Sequence, residues 1–353
     1  MGSKKQNPSE AGRESHASKG SETGNHPKQI RRYSKAKNKA LDNLKALHAR
    51  AYAAPGKEKC KLVGAIDRLT QCGDFLKFRD YYTVEQVRLV KAHFCKQHLL
   101  CPLCAIRRAS KMIGTYAERI QYLLGQNPRL KASMLTLTVK DSADLLERVQ
   151  HLQAAMKKLS QTIRHAKHRK KIVSEFGKIL GYAGAIEVTR GKGSGLWHPH
   201  IHMIVLHEED FLPALDHEGR ERFAIIKKGK RKGQKQIIPA LADEWQAMTG
   251  DSFVVDVQPI GNPEEVGADL VEVFKYALKF SSMNPAHVVD AWLTLSGKRL
   301  VVAGGILWGL KVPKELTDQP LDELPYIELL YRFVGTGYTL EKTTHNPHGD
   351  ENG

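Results

Sequence analysis

The chain is a basic protein of 353 residues, with 55 Lys and Arg against 38 Asp and Glu and a formal charge of +17. Its hydrophobic fraction of 41% supports a folded core, and no apolar run approaches the ~18 residues needed to cross a bilayer. Wholesale disorder and a membrane-spanning protein are therefore excluded. The first residues lack the apolar segment of a secretion signal, and the odd number of cysteines, five, argues against a disulfide scaffold. We expect a cytoplasmic protein that does not bind membranes and whose positive field attracts nucleic acid.

Residues 1–60 carry 14 Lys and Arg against 5 Asp and Glu and are rich in Ser, Gly, Asn and Pro. This composition predicts a basic, mostly disordered arm that leads into a short helix near residues 35–54. Two further basic runs occur at residues 165–171 and 227–235. Any single run could be a solvated loop, but three runs together favour contacts with nucleic-acid phosphates.

A cysteine-rich module is predicted for residues 61–125, and it closes with an amphipathic helix over 105–124. Its cysteines have the spacing C-x22-C-x5-C-x2-C, in which the final C-P-L-C pair is typical of a zinc knuckle. The candidate ligands of a structural Zn²⁺ are Cys72, Cys95, Cys101 and Cys104. His98 could replace one cysteine, or the thiols could be buried as small hydrophobic groups without metal. Cys60 is outside the pattern, and the Arg107–Arg108 pair is placed to contact phosphates.

Residues 126–310 show alternating strand and helix patterns that predict one α+β domain. The order β-α-β-β-α-β-α favours a central antiparallel sheet with helices on one face, in a ferredoxin-like or palm-like arrangement. The tail beyond residue 281 is predicted to close the core behind the last helix of that domain. Residues 311–353 form a C-terminal extension, whose last dozen residues are predicted to be disordered. The predicted strands are 133–139, 182–189, 200–206 and 253–257, and the predicted helices are 141–165, 240–248 and 263–280.

The most informative stretch is HPHIH at residues 198–202. Residues two apart in a strand point to the same face, so His200 and His202 lie side by side. Glu187, on the preceding strand of the hairpin, is the candidate third ligand. Such a set suits Mg²⁺ or Mn²⁺ with positions left open for a substrate phosphate. The alternative is a surface strand whose histidines are solvated, and His198 is either an outer group of the site or a loop residue.

A second group of candidate residues lies on the helix predicted near the end of this domain. Glu272, Tyr276 and Lys279 have i, i+4, i+7 spacing, which places them on one helix face. A tyrosine phenol has a pKa near 10 and is a weak nucleophile unless a nearby cation helps it to ionise. Lys279 or the metal could supply that help. Alternatively, Tyr276 is a packed residue of an amphipathic helix and Glu272 forms an exposed salt bridge.

Three segments in this order, TLTV, EVTR…HPHIHMIVL and EVFKYALK, resemble rolling-circle replication initiators of the HUH endonuclease superfamily. The closest resemblance is to plasmid Rep proteins with one active-site tyrosine and a nearby glutamate, and it extends over residues 72–309, including the cysteine region. It implies that His200 and His202, with Glu187, bind the divalent metal. It also implies that Tyr276 attacks DNA and that Glu272 activates water for the terminating cleavage.

The resemblance implies a site-specific nickase and strand transferase. The nick would leave a 5′-phosphotyrosine and a free 3′-OH that primes synthesis. The implied partners are origin DNA, as a single strand or hairpin, and the host helicase and DNA polymerase, with a possible dimer on DNA. Three rival functions stay open: a single-tyrosine HUH transposase, a zinc-stabilised DNA-binding regulator without activity, and a metal hydrolase of small phosphoesters.

Overall fold

The computed structural model describes residues 26–168, 173–191, 193–226, 232–261, 265–274, 283–311 and 324–347. The fold is α+β, as predicted, with antiparallel sheets. In the described part of the chain, no helix is long and apolar enough to cross a membrane. The helices are α1 His26–Ala53, α2 Gly56–Thr70, α3 Pro102–Gln126, α4 Leu145–His168, α5 Leu241–Thr249, α6 Glu265–Phe274 and α7 Pro285–Leu295. The strands are β1 Phe75–Tyr81, β2 Gln86–Ala92, β3 Lys131–Thr138, β4 Ile179–Arg190, β5 Trp197–His207, β6 Phe223–Ile225, β7 Lys235–Ile237, β8 Val255–Ile260, β9 Val301–Gly305, β10 Tyr326–Val334 and β11 Gly337–Asn346.

A central sheet of five antiparallel strands has the order β8-β3-β5-β4-β9. The elements β3, α4, β4, β5, α5, β8 and α6 follow one another as the sequence predicts, with a small β6–β7 hairpin inserted after β5. The apolar and β-branched residues of these strands explain the agreement, since they fit a pleated, buried surface.

Helices cover both faces of the central sheet, so the prediction of helices on one face is wrong. Leu135 and Met203 pack in one apolar cluster with Leu152 of α4. Ala183 and Ile204 point to the other face, where they share a cluster with residues of α3 and α6. The physical reason is that β4 and β5 are buried along nearly their whole length on both faces. A strand that is buried on both faces needs a cover on each of them.

A second sheet of four strands has the order β11-β10-β1-β2 and joins the two ends of the chain. The tail beyond residue 281, which includes the extension 311–353, was predicted to close the core behind the last helix and to have a disordered last dozen residues. The described residues of the extension instead form β10 and β11, and β10 pairs with β1. The prediction is therefore wrong for residues 326–346, because these strands complete the sheet of the cysteine-rich module.

The helix α1 spans 28 residues, so the helix predicted near residues 35–54 is confirmed, but it begins at residue 26, within the part of the arm that was predicted to be disordered. Its buried positions recur on one face, which packs against α2 and α7. The apolar ones are Ala36, Ala40, Leu47 and Ala51. The part of the arm before residue 26 lies outside the described residues, as do residues 169–172 and 227–231 of the other two basic runs.

Candidate active site and cysteine cluster

The β4–β5 hairpin brings together the three residues predicted to bind a divalent metal. Glu187 lies directly opposite His200 in the antiparallel register, and Ala185 lies opposite His202. All four residues therefore face the same side of the sheet. Glu187 Oε2 is 3.6 Å from His200 Nε2 and 3.7 Å from His202 Nε2.

These ligand atoms fit a shared cation better than a hydrogen-bonded cluster. Distances of 3.6 and 3.7 Å exceed the roughly 3.2 Å limit of an ordinary N–H···O hydrogen bond. Ligand bonds of roughly 2.0–2.2 Å would let all three atoms contact one ion placed between them. Glu187 and His200 are each only 8% exposed and His202 is half-buried, and a carboxylate and two imidazoles in such a site suit a divalent metal.

Two hydrogen bonds fix the orientation of the imidazoles. Thr136, on the neighbouring strand β3, lies opposite His202, and its Oγ1 is 2.9 Å from His202 Nδ1. His200 Nδ1 is 3.3 Å from the carbonyl oxygen of His198, which accepts from it. With Nδ1 engaged in both rings, the Nε2 atoms are left to face Glu187, as in many protein metal sites. Sequence reasoning missed Thr136, although it shares the sheet face of His202 by strand alternation.

His198 lies on the same sheet face, next to the turn that joins β4 and β5. Its ring centroid is 5.1 Å from that of His200, and its Nδ1 hydrogen-bonds to the carboxylate of Asp141. The side chain is thus an outer neighbour of the three ligands and is not among the groups that could share their ion. No sequence pattern pointed to Asp141, because it lies on the loop after β3.

The helix α6 lies over the sheet face that carries the metal-ligating residues. Its Leu270, Val273 and Phe274 are buried in the apolar cluster on that face, and the Phe274 ring stacks on Tyr116 of α3 at a centroid distance of 5.2 Å. Glu272 is half-buried on this helix. Tyr276 and Lys279 lie outside the described residues.

The four predicted cysteines form one buried cluster. The Sγ–Sγ distances are 3.5 Å for Cys72–Cys101, 3.7 Å for Cys72–Cys104 and 3.5 Å for Cys95–Cys104. A tetrahedral ion with Zn–S bonds of about 2.3 Å separates its sulfurs by about 3.8 Å. Hydrogen bonds from the other thiols, first of all from Cys101, lower the pKa of Cys104 and so favour a thiolate there.

Two further residues near the cysteine pattern of the sequence, His98 and Cys60, both lie outside this cluster. His98 is not among the groups that come together. Burial, followed by the charge of Arg108, lowers the pKa of His98 to about 4. Cys60 is exposed and lies apart.

Contacts from both ends of the chain hold the backbone of the cysteine cluster. Buried Lys37 of α1 donates from Nζ to the Cys72 carbonyl oxygen at 2.6 Å, and the Tyr338 hydroxyl of β11 donates to the Gly73 carbonyl oxygen at 2.6 Å. Gly73 has φ +72°, and a Cβ there would lie 2.7 Å from Leu103. The turn after Cys72 therefore requires glycine. Nothing in the sequence near the cysteines signals Lys37 or Tyr338.

The chain is similar to known replication proteins. A family model described as "Replication protein" matches residues 86–217, which include Glu187, His200, His202 and the last three cysteines of the cluster. Curated relatives named "Protein rep" are 26% identical in Streptococcus pneumoniae serotype 2, covering 74% of this chain and 75% of the relative, and 24% identical in Lactiplantibacillus plantarum, covering 72% and 77%. A third, from Staphylococcus aureus, is 27% identical and covers 61% of this chain and 82% of the relative. No solved structure matches the chain.

These similarities support a plasmid replication initiator. They extend beyond the matched family region, since the pairwise similarities span nearly three quarters of the chain. The matched region ends before α6, so the roles of Glu272, Tyr276 and Lys279 do not follow from the family match.

Proposed function

We propose that the protein initiates rolling-circle replication of a plasmid as a single-tyrosine nickase of the HUH type. The observation that carries the proposal is the buried Glu187, His200 and His202 group on a sheet face covered by the helix of Glu272, in a chain similar to "Protein rep" relatives. Its site of action would be the cytoplasm, where plasmid DNA is replicated.

Glu187, His200 and His202 would hold Mg²⁺ or Mn²⁺, and the four cysteines would hold a structural Zn²⁺. When bound, the divalent ion supplies Lewis acidity and neutralises charge on the scissile phosphate. The chain itself fixes the imidazoles through Thr136 and the His198 carbonyl and keeps Glu187 away from bulk water. Preorganised ligands of this kind lower the reorganisation needed during reaction.

In the nicking step, Tyr276 Oη attacks the phosphorus, a P–O bond to tyrosine forms and the P–O3′ bond breaks. The phenol proton leaves Tyr276, and the departing 3′ oxygen takes up a proton to become the primer hydroxyl. Lys279 would lower the cost of forming the phenolate by its positive charge. The phosphotyrosine keeps the energy of the broken bond, so the same linkage can be transferred to a 3′-OH when the strand is rejoined.

Glu272 is proposed to act in the terminating cleavage. It lies on α6, within the layer that covers the metal-ligating face, and it is half-buried. A carboxylate in such a place can accept a proton from water as that water attacks a DNA phosphate. Hydrolysis leaves no protein–DNA linkage and therefore ends the cycle.

The substrate would be the unpaired strand of the origin. A formal charge of +17 favours a polyanion at low salt through counterion release, and a single strand allows the phosphate to reach a buried site. The host helicase and polymerase would then extend the 3′-OH, and a dimer on the origin is part of the proposal.

A covalent-adduct assay tests the proposed chemistry. The purified chain is incubated with single strands tiled across its own plasmid, with Mn²⁺ or with EDTA, and adducts are separated on denaturing gels. We expect a Mn²⁺-dependent protein–DNA band that Tyr276→Phe abolishes and that His200→Ala reduces at least about 10³-fold, since each removes a group that acts in the transition state.

Two matched variants control for unspecific damage. Tyr52 of α1 is 92% exposed and is distant in sequence from the candidate site residues, so Tyr52→Phe should leave the adduct band intact. His217 has an exposed side chain, and His217→Ala should do the same. Tight DNA binding without an adduct on any strand would overturn the nickase proposal and would favour a DNA-binding regulator.

A further inference from the structure

A shallow hollow lies on the sheet face of the metal-ligating residues, immediately beside them. Ala185 of β4 and Val301 of β9 line its floor, and Phe274 of α6 lines one wall. His98 and Arg108, from the segment that carries the cysteine cluster, are its polar lining residues, and the rest of the lining is apolar: Ala105, Ala109, Met112 and Leu300. The cysteine-rich module therefore supplies the polar groups of this hollow.

The register of the sheet fixes the distance from the hollow to the candidate active site. Ala185 lies opposite His202 and two residues before Glu187, on the same face of β4. Two residues along a strand correspond to about 7 Å, which is the scale of one nucleotide step. A single DNA strand whose scissile phosphate lies at Glu187 would therefore have its next phosphate beside the hollow.

The hollow carries a fixed positive charge. Arg108 is exposed, and among the described residues no carboxylate pairs with it, whereas Arg50, Arg148 and Arg222 each have an acidic partner. His98, with its pKa lowered to about 4, is neutral at pH 7. Arg108 is therefore the charged polar group of this hollow, and a guanidinium is well suited to a phosphate.

The volume of the hollow determines which part of a DNA strand can enter it. It holds about 30 Å³, and a single water needs roughly 10–15 Å³ of such volume. That room accepts one or two phosphate oxygens and is too small for a nucleobase. A contact with the DNA backbone fits, and a base-reading pocket does not.

We infer that Arg108 binds the backbone phosphate next to the scissile one and so positions the single strand across the candidate active site. This inference rests on the proposed nickase function and adds a positioning residue supplied by the cysteine-rich module. Since Cys101 and Cys104 lie at the start of α3, the cluster fixes the first turn of the helix that carries Arg108.

Arg107 provides a matched control. It is the preceding residue of α3, is equally charged and is also exposed. Its guanidinium carbon lies 4.4 Å from the centroid of the Phe94 ring, and it does not line the hollow. Successive helical residues point about 100° apart. Arg107→Ala and Arg108→Ala each remove one positive charge. A difference in DNA binding between the two variants therefore reports the local contact of Arg108.

The first experiment measures binding of a labelled single strand by fluorescence anisotropy without divalent metal, across a series of KCl concentrations. We expect Arg108→Ala to weaken binding about tenfold and to reduce the slope of log Kd against log salt by about 0.7, the value for one phosphate of a single strand. Arg107→Ala should weaken binding less than threefold, and Arg108→Lys should lie between wild type and Arg108→Ala. Equal effects of the Arg107 and Arg108 changes would overturn the inference, as would no effect of Arg108→Ala.

The second experiment locates the contact by replacing single phosphates around the mapped nick with neutral methylphosphonates. In wild type, the replacement next to the nick should weaken binding about tenfold, and in Arg108→Ala the same replacement should add less than twofold, because the partner is already lost. Additive losses at that position would place Arg108 elsewhere on the DNA. If wild type binds but forms no adduct, the nickase proposal fails while the salt-slope comparison still decides the Arg108 contact.

Discussion

The two candidate metal-binding groups differ in how the chain assembles them. Glu187, His200 and His202 come from two adjacent strands of one hairpin, and a hydrogen-bonded sheet holds them in place. The four cysteines come from the ends of α2 and β2 and from the start of α3, and residues from α1 and β11 hold the turn after Cys72. The first group lies on strands that backbone hydrogen bonds already join. The second group connects segments that no single sheet or helix joins.

The two groups also differ in their chemistry. The cysteines are all buried and offer four sulfurs, which is typical of a closed structural site. A divalent ion held by the three N and O ligands would keep coordination positions open for a substrate, and the small hollow lies beside them. We therefore expect that loss of a cysteine lowers the free energy of unfolding. Loss of a hydrogen bond that orients a metal-ligating histidine should instead weaken metal binding.

The largest expected effect on stability is that of Cys104→Ser. It should reduce the zinc content from one ion per chain to none and lower the free energy of unfolding by more than about 4 kcal/mol, the range reached when a structural metal is lost. Metal analysis and thermal unfolding measure both. Cys60→Ser is the control, since Cys60 is exposed and outside the cluster. A Cys104→Ser protein with unchanged zinc and unchanged unfolding would refute a structural role of the cluster.

A smaller effect, on metal affinity, is expected for Thr136→Val. The change removes the hydrogen bond to His202 Nδ1 while keeping the shape of the side chain. Outer hydrogen bonds to metal ligands are worth roughly 10–100-fold in affinity, so Mn²⁺ should bind 10–100-fold more weakly by electron paramagnetic resonance titration. Thr162→Val, in α4, should bind Mn²⁺ as wild type does. Equal affinities for wild type and Thr136→Val, with both proteins folded, would contradict the assigned orientation of His202.

The smallest effect is expected where β11 contacts the cysteine turn. Tyr338→Phe removes the hydroxyl that donates to the Gly73 carbonyl oxygen and should lower the free energy of unfolding by about 1 kcal/mol. Urea denaturation measures the change. Tyr82, which is 43% exposed, is the control, and Tyr82→Phe should change the free energy by less than about 0.5 kcal/mol. If both variants unfold alike, the contact between β11 and the cysteine turn contributes nothing.

The sequence predicted the central sheet well because its signals are local. Alternation in the HPHIH strand placed His200 and His202 on one face, and the hairpin placed Glu187 beside them. The spacing of the last three cysteines predicted their clustering for a similar reason, since the short segments between them limit the possible arrangements. These predictions needed only residues that lie near one another in the chain.

The four-stranded sheet was not predicted, because its strands β1 and β10 are far apart in the sequence. Phe75 pairs with Arg332, and no alternation in β1 reveals which distant strand completes it. The burial of Lys37 and Asn43 in α1 was not predicted either, because both look like surface residues. They are buried because they hydrogen-bond to the carbonyl oxygens of Cys72 and Leu100. Arg108 could be proposed for phosphates from the sequence, but only the folded chain distinguishes it from Arg107.

The pairing of β1 with β10 has a consequence for the order of events during synthesis. The ribosome must add the 244 residues from 82 to 325 before the partner of β1 exists, which takes about 12–50 s at 5–20 residues per second. Until then β1 has an open edge on the side that β10 later covers, and Gly73 lacks its Tyr338 contact. A nascent chain would therefore complete its central five-stranded sheet before the cysteine-rich module, although the ribosome makes that module first. A product truncated before residue 326 would keep the histidines and leave the cysteine module with an exposed strand that is prone to aggregation.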